Sequence, residues 1–264
     1  MPNARRSRHA PVGVRSLRSL SLCVLLACAA GAGSASEPNT LSEVERASGW
    51  RLLFDGQSFA GWKNYGEPPG AIEGWVVESG ALRMTRDTGL AGLIWNSINP
   101  FAQATVDLMT VETFERFELS LEWKLSPGGN SGIYYLLPGD EDPPWEKRGL
   151  EMQVLDDAGH SDGRIEKHRN GDLYDLIASS SRPARPIGEW NHVRVVVDGE
   201  HIEHWLNGVK IVEFVRAGPG WESLLDGSKF AGREGYGAAA RGHILLQDHG
   251  DPVWYRNIKL RELP

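Results

Sequence analysis

The sequence predicts a single two-layer β-sandwich of antiparallel strands, and three observations carry that prediction. About a dozen short strand-like runs crowd the chain after its first fifty residues, at the even spacing expected of an all-β domain. No helical periodicity extends beyond two turns. Asp-Gly and Asn-Gly pairs fall between the runs, where tight hairpins need residues that tolerate positive φ. At 264 residues the chain is long enough for one large all-β domain with a sizeable core.

Taken in order, the first thirty-six residues stand apart from this domain. Arg5, Arg6, Arg8, Arg15 and Arg18 precede an apolar run over 20–30, and Ser34-Ala35-Ser36 offers small residues for cleavage. This is the pattern of a secretory signal peptide, too short in its apolar part to span a bilayer. Leu25-Leu26-Ala27-Cys28 resembles a lipobox, which would place a lipid anchor on Cys28 as the competing processing site. Residues 37–47 read as a polar linker, and 48–264 as the folded domain. A strand opening at Gly49 stops at the Asp55-Gly56 turn. Further runs lie at 75–78, 82–85, 93–96, 114–125, 133–137 and 150–156, then at 173–178, 190–198, 202–205, 209–215, 244–248 and 253–263. Within 114–125, Phe117, Leu119, Leu121, Trp123 and Leu125 alternate with Glu118, Ser120, Glu122 and Lys124, the period of a strand with one buried face. Asp198-Gly199 and Asn207-Gly208 make 190–215 a three-stranded meander. Residues 221–230 are the best candidate for a short helix, set in a loop.

Charge and cysteine content exclude several functions. The formal net charge of −7 becomes −12 once the five leader arginines are removed. So acidic a chain is unsuited to nucleic acid or to an anionic membrane surface. Both cysteines, Cys23 and Cys28, lie in the leader, so the domain has neither a disulfide nor thiol chemistry. There is no His-x-x-x-His pair, no glycine-rich phosphate loop opening a helix and no Gly-x-Ser-x-Gly elbow.

The polar residues worth attention sit on strand faces that are otherwise apolar. In 150–155, Leu150, Met152 and Val154 share one face while Glu151 and Gln153 share the other. Upstream, Gly128-Gly129-Asn130-Ser131-Gly132 feeds an aromatic strand and carries Asn130 toward the same region. In 243–249, Gln247 and His249 share a face, with Asp248 beside them and Gly250 following. Strand ends before tight turns are where sites sit, and an imidazole with a reference pKa of about 6.5 serves as acid or base near neutrality. Between these segments, Tyr174 and Lys167 are candidates to polarise a carbonyl oxygen, against the plainer reading of 167–169 as a solvated loop. Ten tryptophans form a high count, and Trp62, Trp145, Trp221 and Trp254 lie near turns where rings stack on sugars. No cofactor is demanded. A divalent cation on oxygen donors from Glu151, Gln153, Asp156 or Asp248 remains an alternative that no ligand spacing calls for.

Six motifs occur in order: Leu53-Phe54-Asp55-Gly56 with Gly61-Trp62, Gly129-Asn130-Ser131-Gly132-Ile133, Glu151-Met152-Gln153-Val154-Leu155-Asp156, Gly188-Glu189-Trp190-Asn191, His204-Trp205-Leu206-Asn207-Gly208, and Leu246-Gln247-Asp248-His249-Gly250 with Arg256-Asn257-Ile258. Together they resemble the 3-keto-disaccharide hydrolase family over about residues 50–263. The resemblance implies an all-β, concanavalin A-like jelly-roll sandwich of two antiparallel sheets. It also implies export to the periplasm or surface of a bacterium, and cleavage of glycosides already oxidised at carbon 3. The family is similar in fold to laminarinase-type glucanases, which carry Glu-x-Asp-x-x-Glu. Here the run is Glu151-x-Gln153-x-x-Asp156, which does not supply the two carboxylates about 5 Å apart that a retaining displacement requires. A ketone at carbon 3 acidifies the hydrogen at carbon 2, so elimination followed by hydration is the path this inventory suits. On that path Glu151 and His249 transfer protons, Gln153, Gln247, Asp248 and Asn130 bind the sugar, and Tyr174 or Lys167 donates to the keto oxygen, all in one pocket. The alternative is a non-catalytic, lectin-like carbohydrate-binding module, followed by an interaction module of a surface assembly.

Overall fold

The computed structural model describes residues 37–85, 106–139 and 147–264. Among the described residues the α-helices and strands follow in order: helix α1 (Glu43–Ala47), strands β1 (Arg51–Leu52), β2 (Trp62–Asn64), β3 (Trp75–Glu78), β4 (Ala81–Met84), β5 (Leu108–Thr110), β6 (Phe117–Leu125), β7 (Asn130–Leu137), β8 (Leu150–Leu155), β9 (Asn191–Asp198), β10 (His201–Leu206) and β11 (Val209–Val215), helix α2 (Gly218–Asp226), and strands β12 (His243–Leu246) and β13 (Val253–Glu262), with a 3-10 turn at Ser161–Arg164 between β8 and β9. They form two antiparallel sheets, the jelly-roll sandwich expected. The larger runs β11-β10-β9-β6-β13-β4-β3, with β1 also on β13, and the smaller runs β2-β5-β12-β7-β8.

The core lies between the sheets and follows the alternation. Phe117, Leu119, Leu121, Trp123 and Leu125 of β6, and Val193, Val195 and Val197 of β9, face Ile133 and Tyr135 of β7 and Leu150, Met152 and Val154 of β8, all buried. The period of two therefore turns Asn130, Gly132 and Tyr134 of β7, with Glu151 and Gln153 of β8, to the outer face of the smaller sheet. That face carries its own small apolar cluster of Tyr65, Met109, Leu137 and Leu245, with Tyr134 packed against it.

The structure departs from the sequence reading in four places. Residues 173–178 form no strand. Gly171 (φ +84°) and Asp175 (φ +60°) coil the segment into a tight loop, in which Leu173 makes one isolated bridge to Met152 of β8 and another to Ile177 of the loop itself. Residues 37–47 are not a free linker. They carry α1, closed by a capping box in which Ser42 and Glu45 satisfy each other's backbone amides. β2 and β5 were not foreseen, because three residues are too few to display alternation. The short helix starts earlier than 221 because Pro219 seats its first turn. The run at 93–96 and the leader at 1–36 lie outside the described residues.

Candidate active site

The outer face of β7 and β8 floors a cleft of about 380 Å³, lined by Asn130, Tyr134, Lys147, Glu151, Gln153, Tyr174, Lys229, Phe230, Arg233, Tyr236, Gln247 and His249. Three segments wall it: the 167–177 loop, the 228–236 loop after α2, and the end of β12. Gln247 is fixed by its backbone, its N–H donating to the Gly132 carbonyl (2.9 Å) and its carbonyl accepting from Ser131 Oγ (2.7 Å). Gln153 Nε2 donates to Asn130 Oδ1 (3.0 Å), so two cleft amides already hold each other in place.

Glu151 is the one carboxylate among the lining residues, and it is 3% exposed. Burial pushes its pKa up to about 7, against the opposing pull of a hydrogen bond from the Tyr134 hydroxyl and the charges of Lys229 and Lys147. Its side chain lies across β7. A Cβ on Gly132 would stand 2.1 Å from Glu151 Oε1, so only glycine leaves room. Burial raises the Tyr134, Tyr174 and Tyr236 hydroxyls as well, each with the Glu151 charge adding to it, so all three remain protonated donors.

The cations are arranged differently from one another. Lys147 is buried and paired with the fully buried Asp107 (Nζ–Oδ2 2.6 Å), which also accepts from the Asp248 amide (2.7 Å). Lys229 instead lays its ammonium over the Tyr174 ring, 3.9 Å from the centroid, and burial lowers its pKa. Arg233 rests 5.3 Å from the Phe230 centroid, and Phe230 stacks on Tyr236 at 3.8 Å. That aromatic pair offers a flat wall suited to a sugar face. His249 is exposed at the rim, 6.1 Å centre to centre from His160.

Six of the eight residues singled out from sequence line this cleft: Glu151, Gln153, Asn130, Tyr174, Gln247 and His249. Two do not. Asp248 is fully buried, its carboxylate accepting from the Val106 and Gly250 amides, so it anchors the loop behind the site. Lys167 adopts φ +71° at a turn, its carbonyl taking the Asp175 amide, and stays outside the cleft. Asp156 caps backbone amides of Gly128, Ala158 and Gly159 and is no second cleft acid. The four oxygen donors considered for a cation therefore do not converge. Among the described residues a three-donor cluster exists only at His201, Glu203 and Glu213 on the far sheet, where Lys210 already bridges both carboxylates. Sequence reasoning missed Tyr134, Lys147, Lys229, Phe230, Arg233 and Tyr236. Alternation from Asn130 through Gly132 could have found Tyr134; the 228–236 loop carries no periodic signal.

The model of a family described as the 3-keto-alpha-glucoside-1,2-lyase-like domain matches residues 49–261. A 3-keto-disaccharide hydrolase of Bacteroides thetaiotaomicron is 32% identical over 255 residues, covering 87% of this chain and 83% of the relative. Two crystal structures of candidate glycosyl hydrolases from Parabacteroides distasonis superpose closely. One has a TM-score of 0.75 at 29% identity, over 86% of this chain and all of that one. The other has a TM-score of 0.61 at 26% identity, over 81% of this chain and 99% of that one.

Proposed function

We infer the function from family and cleft together: the chain belongs to the 3-keto-alpha-glucoside-1,2-lyase-like family, and its cleft supports cleavage of a 3-keto-glycoside by elimination and hydration. One observation carries the reading. The cleft holds a single buried carboxylate, poised to change charge at about pH 7 and surrounded by tyrosine hydroxyls and ammonium groups. A displacement through a glycosyl-enzyme needs a second carboxylate, and the lining residues offer none. Elimination needs one base of near-neutral pKa, a donor to the keto oxygen and an acid for the leaving oxygen.

The steps balance with these groups. Glu151 takes the proton from carbon 2, and the electron pair of that bond makes the enolate of the 3-ketone. The Tyr174 hydroxyl, backed by the Lys229 ammonium, donates to the developing oxyanion. The enolate collapses, the carbon 1–oxygen bond breaks, and the leaving oxygen takes a proton from His249 at the open rim. Water then adds across the carbon 1–carbon 2 double bond, its hydroxide to carbon 1 and a proton returned to carbon 2, giving the free 3-keto sugar. Gln153, Gln247 and Asn130 orient the ring hydroxyls. Export through the leader, with Cys28 as a lipid anchor or with cleavage near Ser36, belongs to the same proposal.

The test is turnover of a panel of 3-keto-glucosides in D2O. Elimination and hydration put deuterium on carbon 2 of the product; direct displacement leaves that hydrogen in place, once spontaneous exchange is subtracted. Glu151→Gln should lose on the order of 10²–10⁴-fold in kcat. Sugar binding without turnover of any keto-sugar by the intact protein would favour the lectin-like reading.

A further inference from the structure

Two cleft residues that act on the same oxyanion in this reading, Tyr174 and Lys229, come from loops more than fifty residues apart. One side chain outside the cleft joins those loops. Asp175 follows Tyr174 directly, and its Oδ2 accepts the backbone N–H of Lys229 (2.6 Å). Its Oδ1 faces His168 Nε2 (2.8 Å). A carboxylate oxygen only accepts, so the imidazole carries its proton on Nε2. The His168 ring lies 4.4 Å from the Tyr174 ring, so the two side chains are in contact as well. Asp175's own amide donates to the Lys167 carbonyl (2.8 Å), and Tyr174's amide donates to the Glu151 carbonyl (3.1 Å).

The backbone is bent to make this possible. Lys167 and Asp175 both adopt left-handed conformations, at φ +71° and +60°. For a lysine and an aspartate such angles are uncommon and cost energy that the surrounding contacts must offset. The strained pair closes the 167–175 loop on itself and aims one carboxylate at two partners, one in its own loop and one in the 228–236 loop.

We propose that Asp175, with His168, is a positioning residue that fixes the Lys229 ammonium over the Tyr174 ring and so sets the electrophilic side of the cleft. The proposal rests on the functional reading above only for its kinetic consequence. Its electrostatic consequence is independent, because Lys229 is the largest charge acting on Glu151. Glu151 is otherwise faced by Tyr134, Tyr174 and Tyr236 and by the charges of Lys147 and Asp107. If Asp175 releases the 228–236 loop, Lys229 moves and the Glu151 carboxyl titrates at higher pH.

The experiment follows the Glu151 side-chain carboxyl by 13C NMR across pH in the wild type, Asp175→Ala, Asp175→Asn, Lys229→Gln and Asp175→Ala/Lys229→Gln. Thermal melts confirm that each variant is folded. The expected result is an upward-moved midpoint in Asp175→Ala and Lys229→Gln, no further movement in the double variant, and near wild-type behaviour in Asp175→Asn, whose carbonyl oxygen can still accept from the Lys229 amide. On 3-keto-glucosides, Asp175→Ala should lose about a hundredfold in kcat, with KM moving far less. An unmoved midpoint in Asp175→Ala, or additive movement in the double variant, overturns the proposal. If the wild type turns over no 3-keto-glucoside, the functional reading falls while the NMR titration still decides the role of Asp175. Should Asp175→Ala fail to fold, the serine variant replaces it, with the same outcomes.

Discussion

Glu151 shows how one residue is set for chemistry at a cost to the fold. Its pKa rises from an ordinary 4.5 to about 7 because burial disfavours the charged form. The folded state therefore holds a proton that the unfolded state releases between those two values, and stability falls as pH rises through that window. The burden is fully present above about pH 7 and absent below about pH 4.5, and its size is roughly 3 kcal/mol. Glu151→Gln keeps the shape and removes the charge. It should lose activity while melting higher than the wild type at pH 8, with the two converging near pH 4.5; calorimetry at both pH values checks this. In the wild type, kcat/KM should rise with pH along an acid limb near 7, since the base must be ionised. A limb near 4.5 would show that the carboxyl is not buried in solution as it is here. The pairing of Glu151 with Gln153 on one face was legible in the sequence because alternation is a two-residue rule. The pKa was not, because it depends first on burial and then on Tyr134, Lys229, Lys147 and Asp107, most of them brought in from elsewhere in the chain.

At the scale of elements, the site is built where β7 and β8 pair in register, Tyr134 opposite Glu151 and Gly132 opposite Gln153. The glycine is there for its lack of a side chain. Gly132→Ala puts a methyl group 2.1 Å from the present place of Glu151 Oε1, so the carboxylate must leave its position beneath Tyr134. The core face of β7 is untouched, and an alanine in a strand changes stability by no more than about 1 kcal/mol. The expected result is a loss of more than tenfold in kcat/KM with a melting temperature within a few degrees of the wild type. Equal activity would mean that Glu151 does not need that position. Strands with one buried face, β6, β9 and β13 among them, were legible because burial writes a period into the sequence. β2 and β5 were not, since each is held by its neighbours rather than by its own pattern. The loop at 173–178 looked like a strand for a related reason: Leu173, Leu176 and Ile177 pack inward, but the left-handed turn at Asp175 folds them into a coil. The cleft follows the same division. Strand-borne Glu151 and Gln153, and Gln247 and His249 just beyond β12, could be read from sequence, whereas loop-borne Lys229, Arg233 and Tyr236 could not.

At the scale of the whole molecule, the segment before the first strand is fastened to the last strand. Asn39 and Asn257 both take left-handed backbone conformations, φ +59° and +52°, and exchange hydrogen bonds. The Asn39 amide donates to Asn257 Oδ1 (2.5 Å), and the Asn257 amide donates to Asn39 Oδ1 (2.9 Å). Asn39 Nδ2 also donates to the Gly80 carbonyl (2.8 Å), tying in the turn between β3 and β4. A few residues on, Glu45 of α1 is bonded to Lys259 of β13, which holds its carboxyl down at about 2. That contribution is present above the ordinary carboxylate pKa and disappears as pH falls toward 2. The larger sheet passes through β13 at its centre, so this strap braces the strand that β6, β4 and β1 all pair with. Asparagine is the side chain suited to position 39, because it tolerates positive φ and presents both a donor and an acceptor. Asn39→Gly keeps the backbone angle and loses two side-chain hydrogen bonds, each of about 1 kcal/mol, so it should destabilise by about 2 kcal/mol. Asn39→Ala loses the same bonds and adds the left-handed penalty of roughly 1 kcal/mol, for about 3 kcal/mol in all. Urea midpoints at neutral pH measure both, with the exposed Glu222→Ala as a surface control. The order control, glycine, alanine is the prediction. Midpoints for both Asn39 variants indistinguishable from the control would mean that residues 37–47 do behave in solution as the free linker their polar composition suggests.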